Sequence, residues 1–300
     1  MSARRAADLG TVIERTLAGV WRARRAVLVW CGILILLSLA SMIAGRPIMT
    51  DQIARMRDPL HPFAVGVWLP FGAIMLMMTA LMLVLAVGAM RAVLDPAAGR
   101  AAYLRCGADE LRVTGVMLLV AVGGYVGMLL LVVGAVLIGV LVGDAAGGGW
   151  AIGAVAAVLA VGLSLYVLVR LSLAVPLTLQ RGAITLRPAW RLSKGRFWYL
   201  VGGYLLTALM TMVVMAPVFA MQMGEISASF AAGADPEADA RAMVAMLDSQ
   251  LARPLPWTLA IIVVTGIANG LALAIQSGMA AQLLLAIEAA AVEGADETAP

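Results

Sequence analysis

The sequence predicts an all-α polytopic membrane protein, a bundle of six transmembrane helices with short interfacial amphipathic helices. Three observations carry that expectation. Of 300 residues, 63% are hydrophobic and 13% are charged, whereas a soluble globular domain carries about 25% charged residues. The mean hydropathy of +1.00 belongs to a chain whose surface mostly faces lipid. The apolar residues also gather into six runs of roughly 20 residues or more, long enough to cross the hydrocarbon core. The runs are continuous rather than alternating, which excludes a β-barrel.

Taken in order, the runs cover Ala26–Gly45, Phe63–Met90, Val113–Val142, Trp150–Thr178, Phe197–Met223 and Leu255–Ile287. Several are long enough to tilt or to extend past the bilayer. The glycine-rich stretch 143–149 joins the third and fourth as an antiparallel hairpin. Residues 1–25 read as an amphipathic segment, 26–287 as the spanning domain with a large loop at 224–254, and 288–300 as an acidic tail. The first run reads as a retained helix rather than a cleaved signal, because Asp8 and Glu14 precede it and its apolar stretch is too long.

Leu9, Val12, Ile13, Leu17, Val20 and Trp21 recur at helical spacing ahead of the first run, with Arg15, Arg22 and Arg25 among them. This pattern predicts an interfacial amphipathic helix. Between the second and third runs, Asp95-Pro96 reads as a helix start and Gly107 as its stop. Pro188 opens another short helix, 189–194, that stops at Gly195. Each basic segment precedes a pair of spans, and aligning Arg100–Tyr103 with Arg187–Trp190 gives a weak repeat. In the large loop, Asp235-Pro236 starts a further helix with Met243, Val244, Met246, Leu247 and Leu251 at helical spacing, read as a surface helix packed on the bundle.

Orientation follows from Lys and Arg near the span ends. One side holds Arg4, Arg5, Arg15, Arg22, Arg24 and Arg25, then Arg91, Arg100, Arg105 and Arg112, then Arg181, Arg187, Arg191, Lys194 and Arg196. The other side holds Arg46, Arg55, Arg57, Arg241 and Arg253. The excess predicts cytoplasmic termini in a bacterial inner membrane.

Composition excludes several classes of function. The net charge of +4 comes from short basic loops pinned between apolar runs, so no nucleic acid is expected as a partner. Two cysteines make no disulfide framework. His61 stands alone between Pro59 and Pro62, which leaves no metal set and no triad, and no cofactor is predicted.

Arg170 is the most informative single residue, because an arginine inside a span faces protein, water or an interface. Its alternatives are snorkelling to headgroups, gripping a lipid phosphate, or a buried structural contact. Arg187, Arg191, Lys194 and Arg196 form a basic patch interleaved with Trp190, Phe197, Trp198 and Tyr199. Cations and aromatics at one membrane level anchor a helix to headgroups and suit anionic lipid. Together with Arg170 these make Arg187, Trp190, Arg191, Lys194 and Arg196 the candidate lipid-binding residues. Asn269 and Gln276, two turns apart on the sixth run, are a candidate polar path. Glycine pairs four apart, including Gly123 with Gly127 and Gly266 with Gly270, permit close helix packing within the chain or between two copies.

The stretch Val169-Arg170-Leu171-Ser172-Leu173-Ala174-Val175-Pro176, followed by Ala189-Trp190-Arg191-Leu192-Ser193-Lys194-Gly195-Arg196-Phe197-Trp198, resembles the membrane domain of bacterial glycerophosphoryl diester phosphodiesterase-type membrane proteins. There an arginine, small-apolar, proline helix end precedes a serine-or-alanine, tryptophan, leucine, lysine, glycine segment. The resemblance covers about 40 residues and implies a six- to eight-helix bundle. The soluble catalytic domain of that family, with its metal-binding carboxylates and histidines, has no counterpart here.

These readings favour a non-enzymatic inner-membrane protein of envelope or lipid homeostasis, or a membrane partner subunit. Its partners are membrane lipids, anionic ones included, and a membrane protein partner or a second copy. A transporter or channel for a small or lipid-like solute is the rival. An intramembrane enzyme ranks last for want of an acid, base or metal set.

Overall fold

A computed structural model describes residues 8–58, 65–98, 100–105, 107–146, 149–230 and 236–296. The described residues hold no strand and include six helices long and apolar enough to cross a membrane, so the chain is an all-α, multi-pass membrane protein. His61 and Cys106 lie outside the described residues.

The N-terminal amphipathic helix α1 spans Leu9–Arg22 and the first span α2 spans Arg24–Arg57. They meet at Ala23 alone, so Arg24 and Arg25 belong to the span and not to the amphipathic segment. One stripe of α1 is inward, with Val12 and Thr16 buried, while Trp21 is exposed. The second span α3 covers Val65–Leu94.

Two short 3₁₀ turns follow, Pro96–Ala98 and Arg100–Tyr103, where the sequence predicts one helix closing at Gly107. Ala102 and Tyr103 take left-handed backbone, φ 54° and 62°, at a cost of about 1–2 kcal/mol each. The bundle holds them there. Trp30 Nε1 donates to the Ala102 carbonyl at 3.2 Å, and Arg91 Nη1 donates to the Tyr103 carbonyl at 3.2 Å. Gly107 instead stands just ahead of the next helix.

Helices α4 (Ala108–Ala146) and α5 (Gly149–Leu171) form the predicted hairpin. The fourth apolar run does not continue unbroken, because α5 stops and α6 resumes at Ala174–Arg181. Pro176 lacks the N–H that would bond back to Ser172, so it is tolerated only in the first turn of a new helix. Gly182, with φ 61°, ends α6 in the left-handed region.

Helix α7 spans Leu186–Leu192 and starts two residues before Pro188. Helix α8 runs Phe197–Phe230, α9 Pro236–Leu251 and α10 Leu255–Asp296. Residues 224–230 therefore extend a span rather than open a loop, and Glu288 to Asp296 extend α10 rather than form a free tail. The second basic segment being 3₁₀, the repeat does not hold at the level of helix type.

Helix α10 is the hub, packing against α1, α2, α3 and α8. Its small residues make this possible, since Gly266, Ala268, Gly270, Ala272, Ala274, Ser277 and Gly278 let neighbouring backbones approach. A Cβ on Gly266 would stand 3.0 Å from Ile35 Cα and N, and one on Gly270 3.2 Å from Cys31 Cα. The glycine pair of the sixth run thus serves an intramolecular crossing of α10 on α2. Further along, Met279, Leu283, Leu284 and Ile287 are fully buried among α1, α6 and α8.

A buried ion pair joins α3 to α4. Arg91 Nη2 lies 2.6 Å from Glu110 Oε1, with side chains 10% and 8% exposed. Glu110 Oε1 makes no hydrogen bond beyond this ion contact, so its charge depends on Arg91. Arg91, one of the cations behind the predicted topology, is thus also a structural partner, and no local spacing in the sequence links it to Glu110.

Candidate functional site

The candidate lipid-binding residues divide at α7 into an inward and an outward set. Arg170 leaves the last turn of α5 and is 7% exposed, so it does not snorkel. Its Nε donates to Ser193 Oγ at 3.1 Å, Nη1 to Tyr166 Oη at 2.9 Å and Nη2 to the Trp190 carbonyl at 2.9 Å. Its guanidinium lies 4.1 Å from the Trp190 ring centroid and 5.5 Å from that of Tyr166. Ser193 Oγ also donates to the Trp190 carbonyl at 3.0 Å, which closes the network.

A planar fork with donors fixed in direction suits this arrangement better than an ammonium. Arg170 therefore binds the underside of α7, the structural alternative among its three readings. No carboxylate takes part. Tyr166 is not among the residues the sequence singled out, although its place one helical turn before Arg170 is a spacing that brings side chains together. Ser193 gave no sign in sequence.

The turn into α7 is fixed by two threonines. Thr178 Oγ1 and Thr185 Oγ1 are 3.0 Å apart, and Thr185 N donates to Thr178 Oγ1 at 3.3 Å. Ala189 is fully buried against Leu173, Leu177 and Leu200. With its underside so held, α7 presents Arg187 and Arg191, four residues apart on one helical face, outward. They line a surface cleft of about 470 Å³ with Arg181, Pro188 and Leu192.

Arg181 is answered by Glu288 at 3.8 Å. Arg187, Arg191 and Lys194 are exposed and form no ion pair or side-chain hydrogen bond among the described residues. Arg196 turns inward, its Nη1 donating to the Ile287 carbonyl at 2.6 Å, and so ties α8 to α10. Trp190 stands between the sets, its ring against the Arg170 guanidinium and edge-on to Tyr166, and it is 37% exposed.

A second basic cleft of about 450 Å³ is lined by Arg22, Arg24 and Arg25 with Ala102 and Tyr103. It belongs to the same end of the bundle, the end where α1, the 3₁₀ turns and α7 gather. With several arginines in their lining, both clefts can receive anions.

The two candidate polar-path residues both lie on α10. Gln276 is exposed and its Nε2 donates to Thr211 Oγ1 of α8 at 3.3 Å, an interhelical bond. Asn269 is half-buried, and neither residue lines the cavities described here. Among the described residues no group of three His, Cys, Asp or Glu side chains is placed to hold a metal ion. No family model, curated protein or solved structure matches the chain.

Proposed function

We propose that the chain is a non-enzymatic protein of a bacterial inner membrane, with cytoplasmic termini, that holds anionic lipid headgroups on α7 in the service of envelope or lipid homeostasis. The observation that carries the reading is the pair of exposed cations Arg187 and Arg191 on α7, whose other face is fixed by Arg170, with Lys194 in the turn that follows, none of them paired among the described residues. The resemblance to the phosphodiesterase-type membrane domain rests on the same segment and extends the reading to a shared membrane fold. A partner membrane subunit or a second copy fits the same role.

Anionic headgroups gain about 1 kcal/mol per Lys or Arg near the surface. Removing Arg187 and Arg191 together as glutamines should therefore weaken phosphatidylglycerol binding roughly thirtyfold with the fold intact. Native mass spectrometry of protein extracted with its lipids reads the effect. Retention equal to the parent's would sink the proposal.

Arg170→Lys tests the support separately. It keeps the charge and loses the fork, so amide exchange across 186–194 should quicken even where no lipid is added. For orientation, a single cysteine at Asp239 should react with an impermeant maleimide from outside intact cells, and one at Gly195 should not. The reverse pattern inverts the topology.

A further inference from the structure

At the end of the bundle opposite α7 lies a cavity of about 650 Å³, between α2, α3, α9 and α10. Its size falls in the range of small-molecule sites, roughly 300–1,000 Å³. Met42, Gly45, Met49, Trp68, Phe71 and Ile262 give it apolar walls, and two thioethers let those walls adapt to a flexible chain. Pro47 of α2 and Pro70 of α3 each remove a helical hydrogen bond beside it.

The rim is polar and of one sign. Arg46 and Arg253 line it with Gln52 and Gln250, and its described lining holds no Asp or Glu. Arg46 is exposed and donates from Nη2 only to the neutral Leu251 carbonyl at 3.3 Å. The Asp51 carboxylate of α2 does not line the cavity and is engaged elsewhere, 3.0 Å from Arg55 Nε and 3.3 Å from Trp68 Nε1. Helix α9 closes one wall and is fastened to α2 by Arg57 and Asp248 at 2.6 Å.

The geometry points to a binding site for an anionic amphiphile with one acyl chain, the chain in the cavity and the acid head on Arg46 at its rim. An apolar pocket with a few convergent polar groups is the usual form of such a site. A guanidinium fork matches a carboxylate or phosphate head bidentately. The site is separate from the α7 cleft and does not depend on the reading given to it.

Palmitate and hexadecanol share a chain length and differ in the head. Titrated into the purified full-length protein and read by native mass spectrometry, palmitate should bind at one per chain and more tightly than the alcohol. Its affinity should rise along a series of shorter to longer carboxylates and then stop rising once the cavity is full.

Arg46→Gln should weaken palmitate roughly fivefold and leave hexadecanol unchanged. Gly45→Leu fills the cavity, since a Cβ there meets only Phe71 at an ordinary 3.9 Å. It should weaken both ligands roughly tenfold or more. Arg187→Gln with Arg191→Gln should change neither.

Displacement of palmitate by lysophosphatidylglycerol and not by lysophosphatidylcholine would identify a single-chain phospholipid as the natural source, and no displacement by either would identify the free acid. Palmitate binding that is equal in the parent, Arg46→Gln and Gly45→Leu overturns the site. So does binding lost only in the α7 variant.

Discussion

Leucine at Gly266 or Gly270 should abolish recovery of folded protein, whereas leucine at Gly123 or Gly127 should be accepted. All four belong to small-residue pairs four apart, so sequence spacing does not separate them. The surroundings do. At Gly266 the new Cβ meets the backbone of Ile35 at 3.0 Å, and at Gly270 that of Cys31 at 3.2 Å and the Cys31 sulfur.

Backbone cannot step aside as a rotamer can, so α2 and α10 must part. Overpacking a fitted contact costs about 1–3 kcal/mol where side chains can move, and more where they cannot. Gly123 and Gly127 meet nothing within 4 Å, and substitutions at such sites stay within about 0.5 kcal/mol. Monodisperse yield by size exclusion and the thermal midpoint in one detergent check this. Equal behaviour of Gly270→Leu and Gly127→Leu would refute the crossing.

Glu110→Gln should cost about 3–5 kcal/mol, because it leaves the Arg91 guanidinium charged and buried without its partner. Its neighbour Asp109 supplies the control. Asp109 pairs with Arg112 at 3.0 Å, but the two side chains are 51% and 45% exposed. An exposed pair contributes about 0–1 kcal/mol, so Asp109→Asn should be nearly silent.

Changing both buried partners, Arg91→Met with Glu110→Leu, should recover most of the loss, since an apolar pair leaves no stranded charge. Unfolding midpoints of the four variants complete the comparison. A Glu110→Gln effect no larger than that of Asp109→Asn would show that the ion pair does not hold α3 to α4.

Hydropathy located all six spans because lipid imposes a one-dimensional rule on composition. It placed their ends poorly. Helices α2, α4, α8 and α10 run on past their apolar runs, since polar residues continue a helix wherever a partner answers them, as Arg55 answers Asp51 and Gln180 answers Glu288 at 3.0 Å.

The break at Ser172 lay inside a stretch that hydropathy counts as one span, with Pro176 the only local mark of it. At the candidate site, residue type correctly gathered cations and aromatics on one segment. Which way each side chain faces depended on partners distant in sequence. Arg196 finds Ile287 and Arg170 finds Ser193, contacts that no local pattern encodes.

The α4–α5 hairpin is tied to the other helices at its basic end, through Glu110 and Arg91, Val116 against Leu173, Tyr166 against Phe197, and Arg170 under α7. Away from that end Leu130, Val136, Val158 and Leu159 are all more than half exposed, so acyl chains surround most of its circumference. With 39 residues, α4 measures about 58 Å, against a hydrocarbon thickness of about 30 Å. Helix α10 is longer still at 42 residues, but it is packed against several helices, so a mismatch with the bilayer moves the cantilevered hairpin more easily than the hub. A thicker or thinner bilayer changes the inclination of the hairpin first and passes that torque to its root, which is the helix that displays the unanswered cations.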